Sequence, residues 1–124
     1  MLIDLRQKLP FQDQTVELIE AHDFFEHFSA EEIGPMLDDW YRVLIDGGKI
    51  ILTLPEFGEL LKKYVDDPLK GLHGIYGFYG EHKMGYTKGS MKELLEKHKF
   101  KVISVEDKEI KKDDCPRMEA ICKK

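Results

Sequence analysis

The run Lys49-Ile50-Ile51-Leu52-Thr53-Leu54, opened by Asp46-Gly47-Gly48 and closed by Pro55, constrains this chain more than any other segment. It is almost continuously apolar, so a strand formed from it must be covered on both faces. Such a strand belongs in the middle of a sheet flanked by helices.

The neighbouring segments supply those layers. Val16-Glu17-Leu18-Ile19-Glu20-Ala21 reads as a strand, and Met1 to Leu5 as a possible shorter one before the turn-like Leu9 to Gln14. Ser29 and Glu32 form a capping box, and Ile33, Leu37, Trp40, Tyr41 and Leu44 fall at helical spacing behind it. A second helix after Pro55 carries Phe57, Leu60, Leu61, Tyr64 and Val65 on one side. A long loop is expected from Gly71 to Tyr86, and then a helix from Thr87 to His98 burying Met91, Leu94 and Leu95. Lys101 to Glu106 and Arg117 to Cys122 close the chain as two strands with a short connection, an antiparallel hairpin at one sheet edge. The order β-β-α-β-α-loop-α-β-β predicts one α/β domain over residues 1–124, with a mixed, mostly parallel sheet flanked by helices.

Composition removes several function classes. A formal net charge of −5 with no basic stripe excludes the dense positive face that nucleic-acid binding uses. With 42% hydrophobic residues among 124 the chain can bury a core without metals or disulfides. Cys115 and Cys122 have no metal-ligand spacing and no base partner in sequence, and read as reduced thiols. No segment is apolar over a bilayer's thickness and no signal peptide opens the chain, so the expectation is a cytoplasmic protein without a membrane partner.

Four segments then resemble one family. Leu9-Pro10-Phe11-Gln12-Asp13-Gln14-Thr15-Val16-Glu17-Leu18-Ile19 is similar to the LPFxDxSxDxI run that leads into the fourth strand of type 11 methyltransferases, which are class I S-adenosylmethionine (SAM) dependent enzymes. Phe25-Glu26-His27-Phe28 resembles their LEHF. Trp40 to Lys49 resembles their entry to the fifth strand, with Ile45-Asp46-Gly47-Gly48 where Lys-Pro-Gly-Gly is usual. Gly74-Ile75-Tyr76-Gly77 and His82 to Thr87 resemble a loop of a bacterial subgroup.

The resemblance implies the C-terminal half of a Rossmann-like methyltransferase fold. The family's glycine-rich SAM loop and ribose-binding acid have no counterpart in these residues, for no G-x-G-x-G occurs. The strand Val16 to Ala21 is therefore expected to present an open edge unless Met1 to Leu5 covers it. Two copies could pair there as a homodimer, or a second chain could carry the missing SAM-binding half.

The same resemblance directs attention to particular residues. Asp4, Leu5, Ala21 and His22 would border the cofactor, Asp4 beside the adenine amine, although without the rest of the cofactor pocket Asp4 reads first as an exposed acid at a strand end. His22 and Asp23 follow the carboxyl end of a strand, where ligands of open α/β sheets sit, and either can accept a proton from an acceptor hydroxyl or amine. His27 fits catalysis or helix packing. Tyr76, Tyr79, His82 and Tyr86 would belong to a substrate loop, or would simply fill the groove beneath the helices. No metal site is expected, since His73 and His82 lack a third ligand by spacing. The function expected is SAM-dependent methylation of a small molecule or glycan, completed by a dimer mate or partner chain. The alternative is a non-catalytic assembly module, or a degenerate fragment that keeps the fold without SAM.

Overall fold

The apolar run does become the middle of a sheet. In the computed structural model, which describes residues 4–77, 80–109 and 115–124, strand β2 (Leu44–Pro55) pairs in parallel with β1 (Val16–His22) and antiparallel with β4 (Arg117–Lys123). Strand β3 (Lys101–Lys108) pairs antiparallel with β4, so the order across the sheet is β1-β2-β4-β3. The sheet is mixed as expected, with the parallel contribution among the described strands confined to β1 and β2. Ile50, Leu52 and Leu54, which share one face of the strand, are buried, and on the opposite face Thr53 is buried and Ile51 half-buried, so both faces are covered.

Asp46-Gly47-Gly48 interrupts β2 rather than preceding it. Between the pairs Val16↔Leu44 and Leu18↔Lys49 the register shifts, and the extra residues bulge outward. Gly47 turns the chain at φ 77°, which favours glycine. A Cβ at Gly48 would lie 2.9 Å from the Ile45 carbonyl oxygen and 3.3 Å from that of Glu17, so the bulge closes against β1 only without a side chain. Leu44, expected at the end of a helix, instead opens β2 and remains buried.

Helix α1 (Ala30–Val43) starts with the expected capping box, in which the Ser29 amide donates to Glu32 Oε1 at 3.0 Å. Its apolar stripe buries Ile33, Met36, Leu37, Trp40 and Val43. On its outer side, Asp39 Oδ2 accepts from the Leu9 amide at 2.7 Å, and Arg42 donates to the carbonyls of Leu9 and Phe11 and to Asp13 and Asp39. One helix face thereby fastens the whole Leu9-Pro10-Phe11-Gln12-Asp13 segment. Burial raises the Asp39 carboxyl pKa, but the Arg42 and Leu9 hydrogen bonds outweigh it and leave that pKa lowered.

Three expectations change. The first is the strand at Met1 to Leu5: residues 1–3 lie outside the described residues, while Leu5 stands in a turn closed by the Gln7 amide on the Asp4 carbonyl at 3.0 Å. The second is the apolar side of α2 (Phe57–Lys63), which buries Leu60 but leaves Leu61 and the following Val65 exposed. The third is the start of the long loop, because residues 68–76 form a helix, α3 (Pro68–Tyr76). Asp67 caps it by accepting from the Lys70 amide at 3.3 Å, and Pro68 sits at its first turn, where a missing amide costs least. Gly71 faces Tyr64, with room for only ordinary contact between the two helices. Helix α4 (Lys88–Lys97) follows the expected range, capped by Thr87 and Ser90 and burying Met91 and Leu95. No helix among the described residues is long and apolar enough to cross a membrane.

Candidate functional site

The carboxyl ends of the parallel pair β1–β2 carry the candidate site, which is where open α/β sheets bind ligands. The chain leaves β1 at His22 and turns sharply at Asp23, whose φ is 49°. The Asp23 amide donates to the Thr53 carbonyl at 2.7 Å, and His22 Nδ1 lies 2.9 Å from Thr53 Oγ1. Both residues are thus fixed to β2, but they face different spaces. His22 lines a hollow of about 490 Å³ along the outer side of β1, together with Leu5, Phe11, Ala21, Phe24 and Trp40. Asp23 lines a second pocket of about 520 Å³ at the strand ends, walled by Glu26, Tyr64, His73, His82 and Arg117.

Asp23 is engaged by a guanidinium: Arg117 Nε lies 2.9 Å from Oδ1 and Nη2 lies 3.3 Å from Oδ2. Arg117 itself is buried, at the start of β4. This charge-assisted pair presents the Asp23 carboxylate as a fixed wall of the pocket.

Glu26 is the residue that the sequence did not single out. It sits in a 3-10 turn (Phe25–His27), is 3% exposed, and its Oε2 has no hydrogen-bond partner among the described residues. Its backbone carbonyl accepts from the Lys83 and Met84 amides at 2.6 and 3.2 Å, which draws the segment after α3 against the turn. His82 is thereby brought beside His27, their rings 4.9 Å apart and edge-on. His27 Nε2 lies 3.7 Å from Glu26 Oε1. Burial pushes the Glu26 carboxyl pKa up, while its own backbone amide and the two imidazoles pull it down. The signal available in sequence was only an acid between aromatics, and its burial depends on residues almost sixty positions away.

The remaining expected residues divide. Tyr86 packs into the core. It is 5% exposed, packs 6.4 Å from Phe25, and bridges to Glu56. Burial, with a smaller contribution from Glu26, raises its phenol to about 12. Tyr76 is exposed at the end of α3 and does not line the pocket, and Tyr79 lies outside the described residues. Asp4 is exposed and held in a fork by its near neighbour Arg6, with Nε 2.9 Å from Oδ1 and Nη2 2.8 Å from Oδ2. Leu5, Ala21 and His22 do meet, in the hollow beside β1.

A methyltransferase-domain family model matches residues 2–52, which include the Leu9–Asp13 segment, β1, all of α1 and most of β2. Solved structures extend the likeness over the rest. A SAM-dependent methyltransferase from Methanosarcina mazei aligns over 98% of this chain and 65% of its own, at 16% identity and a TM-score of 0.72. The class I SAM-dependent methyltransferase fold is the fold of this chain. The 1,6-didemethyltoxoflavin N1-methyltransferase of Burkholderia thailandensis, solved with its substrate and S-adenosylhomocysteine, aligns over 98% of this chain and 48% of its own, at 13% identity and a TM-score of 0.72. A chain from the complex between the Haloferax volcanii Trm112 methyltransferase activator and its companion aligns over 99% of this chain and 60% of its own, at 12% identity and a TM-score of 0.72. This chain therefore spans less than two thirds of the length of these methyltransferase-fold structures. No curated protein sequence matches it significantly.

SAM is the cofactor this fold implies, and the residues fit one wall of a site for it. The hollow beside β1 is lined by Leu5, Phe11, Ala21 and Phe24, which suit a flat heterocycle. Asp4, expected to meet the adenine amine, already has both carboxylate oxygens on Arg6.

Proposed function

We propose that this chain provides the acceptor-facing part of a SAM-dependent methyltransferase site for a small molecule or a glycan, with the glycine-rich element supplied by a dimer mate or a partner chain. The observation that carries this reading is the step from His22 to Asp23. Two consecutive residues at one strand end line two different spaces, the hollow beside β1 and the pocket under α3. A cofactor along β1 and an acceptor in the pocket would meet at that step.

SAM, when bound, supplies an electrophilic methyl group. What the protein must add is chiefly alignment of the acceptor, which can be worth several kcal/mol of barrier, about 7 or more in well-oriented cases. Asp23, fixed by Arg117, forms a rigid wall for that alignment, and Thr53 within β2 anchors both His22 and Asp23 from behind. His22, oriented by Thr53, is the residue placed to receive the acceptor's proton. The Haloferax complex supports the idea that this fold can work beside a separate partner chain.

A second reading has its own support. Strand β1 is the edge of the described sheet, and Leu18 on it and Phe11 beside it are 47% and 44% exposed. An unpaired apolar edge favours strand pairing between copies, which suits a non-catalytic assembly module or a degenerate fragment equally well.

Calorimetric titration with S-adenosylhomocysteine, sensitive to a Kd of about 1 mM, separates the two. Saturable binding that His22→Ala weakens, because His22 lines the cofactor hollow, with methyl transfer falling alongside, is the expected result. A stable dimer that takes up no S-adenosylhomocysteine, alone or with candidate partner chains, would leave the assembly reading in its place.

A further inference from the structure

We propose that Glu26, His27 and His82 form a binding site for a divalent first-row transition-metal ion, at the mouth of the pocket beneath α3. One carboxylate oxygen and one ring nitrogen from each histidine lie within 4.8 Å of one another, the spread from which three ligands can close around one ion.

Two independent features point to an ion there. Glu26 Oε2 is buried without a hydrogen-bond partner among the described residues, and an unmet buried carboxylate oxygen is costly to leave so. A cation would satisfy it. The second is how His82 is held. The Lys83 and Met84 amides both bond the Glu26 carbonyl, and the His82 amide bonds the Tyr76 carbonyl at 3.0 Å. The same backbone that buries Glu26 thus carries His82 to it from the far side of α3.

The donor set selects the ion. Two imidazoles with one carboxylate suit Zn²⁺, Co²⁺ or Fe²⁺, whereas Mg²⁺ and Ca²⁺ take mainly oxygen ligands. With three protein ligands the ion keeps open positions, and these face the pocket of about 520 Å³. An acceptor oxygen bound there would be polarised beside Asp23. This last consequence rests on the proposed methyl transfer, while metal binding itself does not.

The test uses untagged protein stripped with a chelator and then titrated with Co²⁺, followed by visible ligand-field absorption and calorimetry, without SAM or its analogues. The wild type should take up one ion saturably. His82→Gln, on an accessible segment, should weaken uptake about tenfold or more while far-UV circular dichroism stays unchanged, and Glu26→Gln should do the same. Excess Mg²⁺ should not displace the ion. Absence of saturable uptake by the wild type, equal uptake by both variants, or displacement by Mg²⁺ would each overturn the site. None of these results bears on S-adenosylhomocysteine binding, so the two proposals fail separately.

Discussion

Asp23 and Arg117 stand 94 positions apart in sequence and join in a two-point ion pair at 2.9 and 3.3 Å, across the carboxyl end of β2. The pair ties the turn after β1 to the first residue of β4. Removing Asp23 takes a charged, hydrogen-bonded partner from a buried guanidinium. Asp23→Ala should therefore lower unfolding free energy by about 2–3 kcal/mol, the range for hydrogen bonds to charged groups. Urea denaturation checks this, and a loss below about 0.5 kcal/mol would mean that the pair is a surface ornament.

Lys99 follows α4 with φ 75°, the left-handed conformation that glycine normally supplies at a helix end. A side chain there costs roughly 1–2 kcal/mol relative to a residue without Cβ. Lys99→Gly should raise the thermal midpoint, by the equivalent of about 1 kcal/mol after the extra chain entropy of glycine is counted.

Cys122 on β4 is buried in the core, and burial raises its thiol pKa from 9.0 to about 12, offset only in part by the Ile50 amide. The folded thiol keeps its proton where the unfolded one releases it. Its contribution to stability is thus whole below pH 9 and lost as the pH climbs toward 12. In native protein at pH 8 a thiol reagent should label Cys115 and spare Cys122 until denaturant is added. Rapid labelling of both would contradict the burial.

Gly85 lies against Phe57: a Cβ there would be 2.4 Å from the Phe57 ring. Gly85→Ala must push that ring aside, next to the hydrogen bond from the Phe57 amide to the Tyr86 carbonyl. A destabilisation of about 1–3 kcal/mol is expected, as for overpacked cores. Amide exchange should quicken first at Phe57.

Leu18 tests the sheet edge. Sedimentation of Leu18→Lys should show monomer wherever the wild type dimerises, because an outward lysine blocks strand pairing without touching the core. A wild type that sediments as monomer at all concentrations would remove edge pairing from the account.

The sheet was readable from sequence where period and chemistry agree. Lys49 to Leu54 has one use as a strand, and Ser29 with Glu32 marks a helix start whose spacing carries through to Val43. Residues 68–76 hid a helix because Gly71, Gly74 and Gly77 crowd it, and glycine is a poor helix former. What made the helix form is Asp67 capping and the fit of Gly71 against Tyr64, a tertiary contact that no window of sequence contains. The site was half readable for the same reason. His22 and Asp23 follow from their place at a strand end, whereas Glu26 and Arg117 gain their roles from folding. Tyr86 looked like a lid residue because aromatics among glycines read alike in lids and in cores.

The position of β4 between β2 and β3 has a consequence for how this protein is made. A ribosome delivers β3 before β4, yet among the described strands β3 joins the sheet through β4. Until residues 117–123 have emerged, Lys101–Lys108 has no strand to join, and Arg117 is not yet present to hold Asp23. The nascent chain must therefore wait, with its core unsealed, until β4 has emerged. Its exposure to proteases and chaperones is set by the pace of translation through residues 109–123.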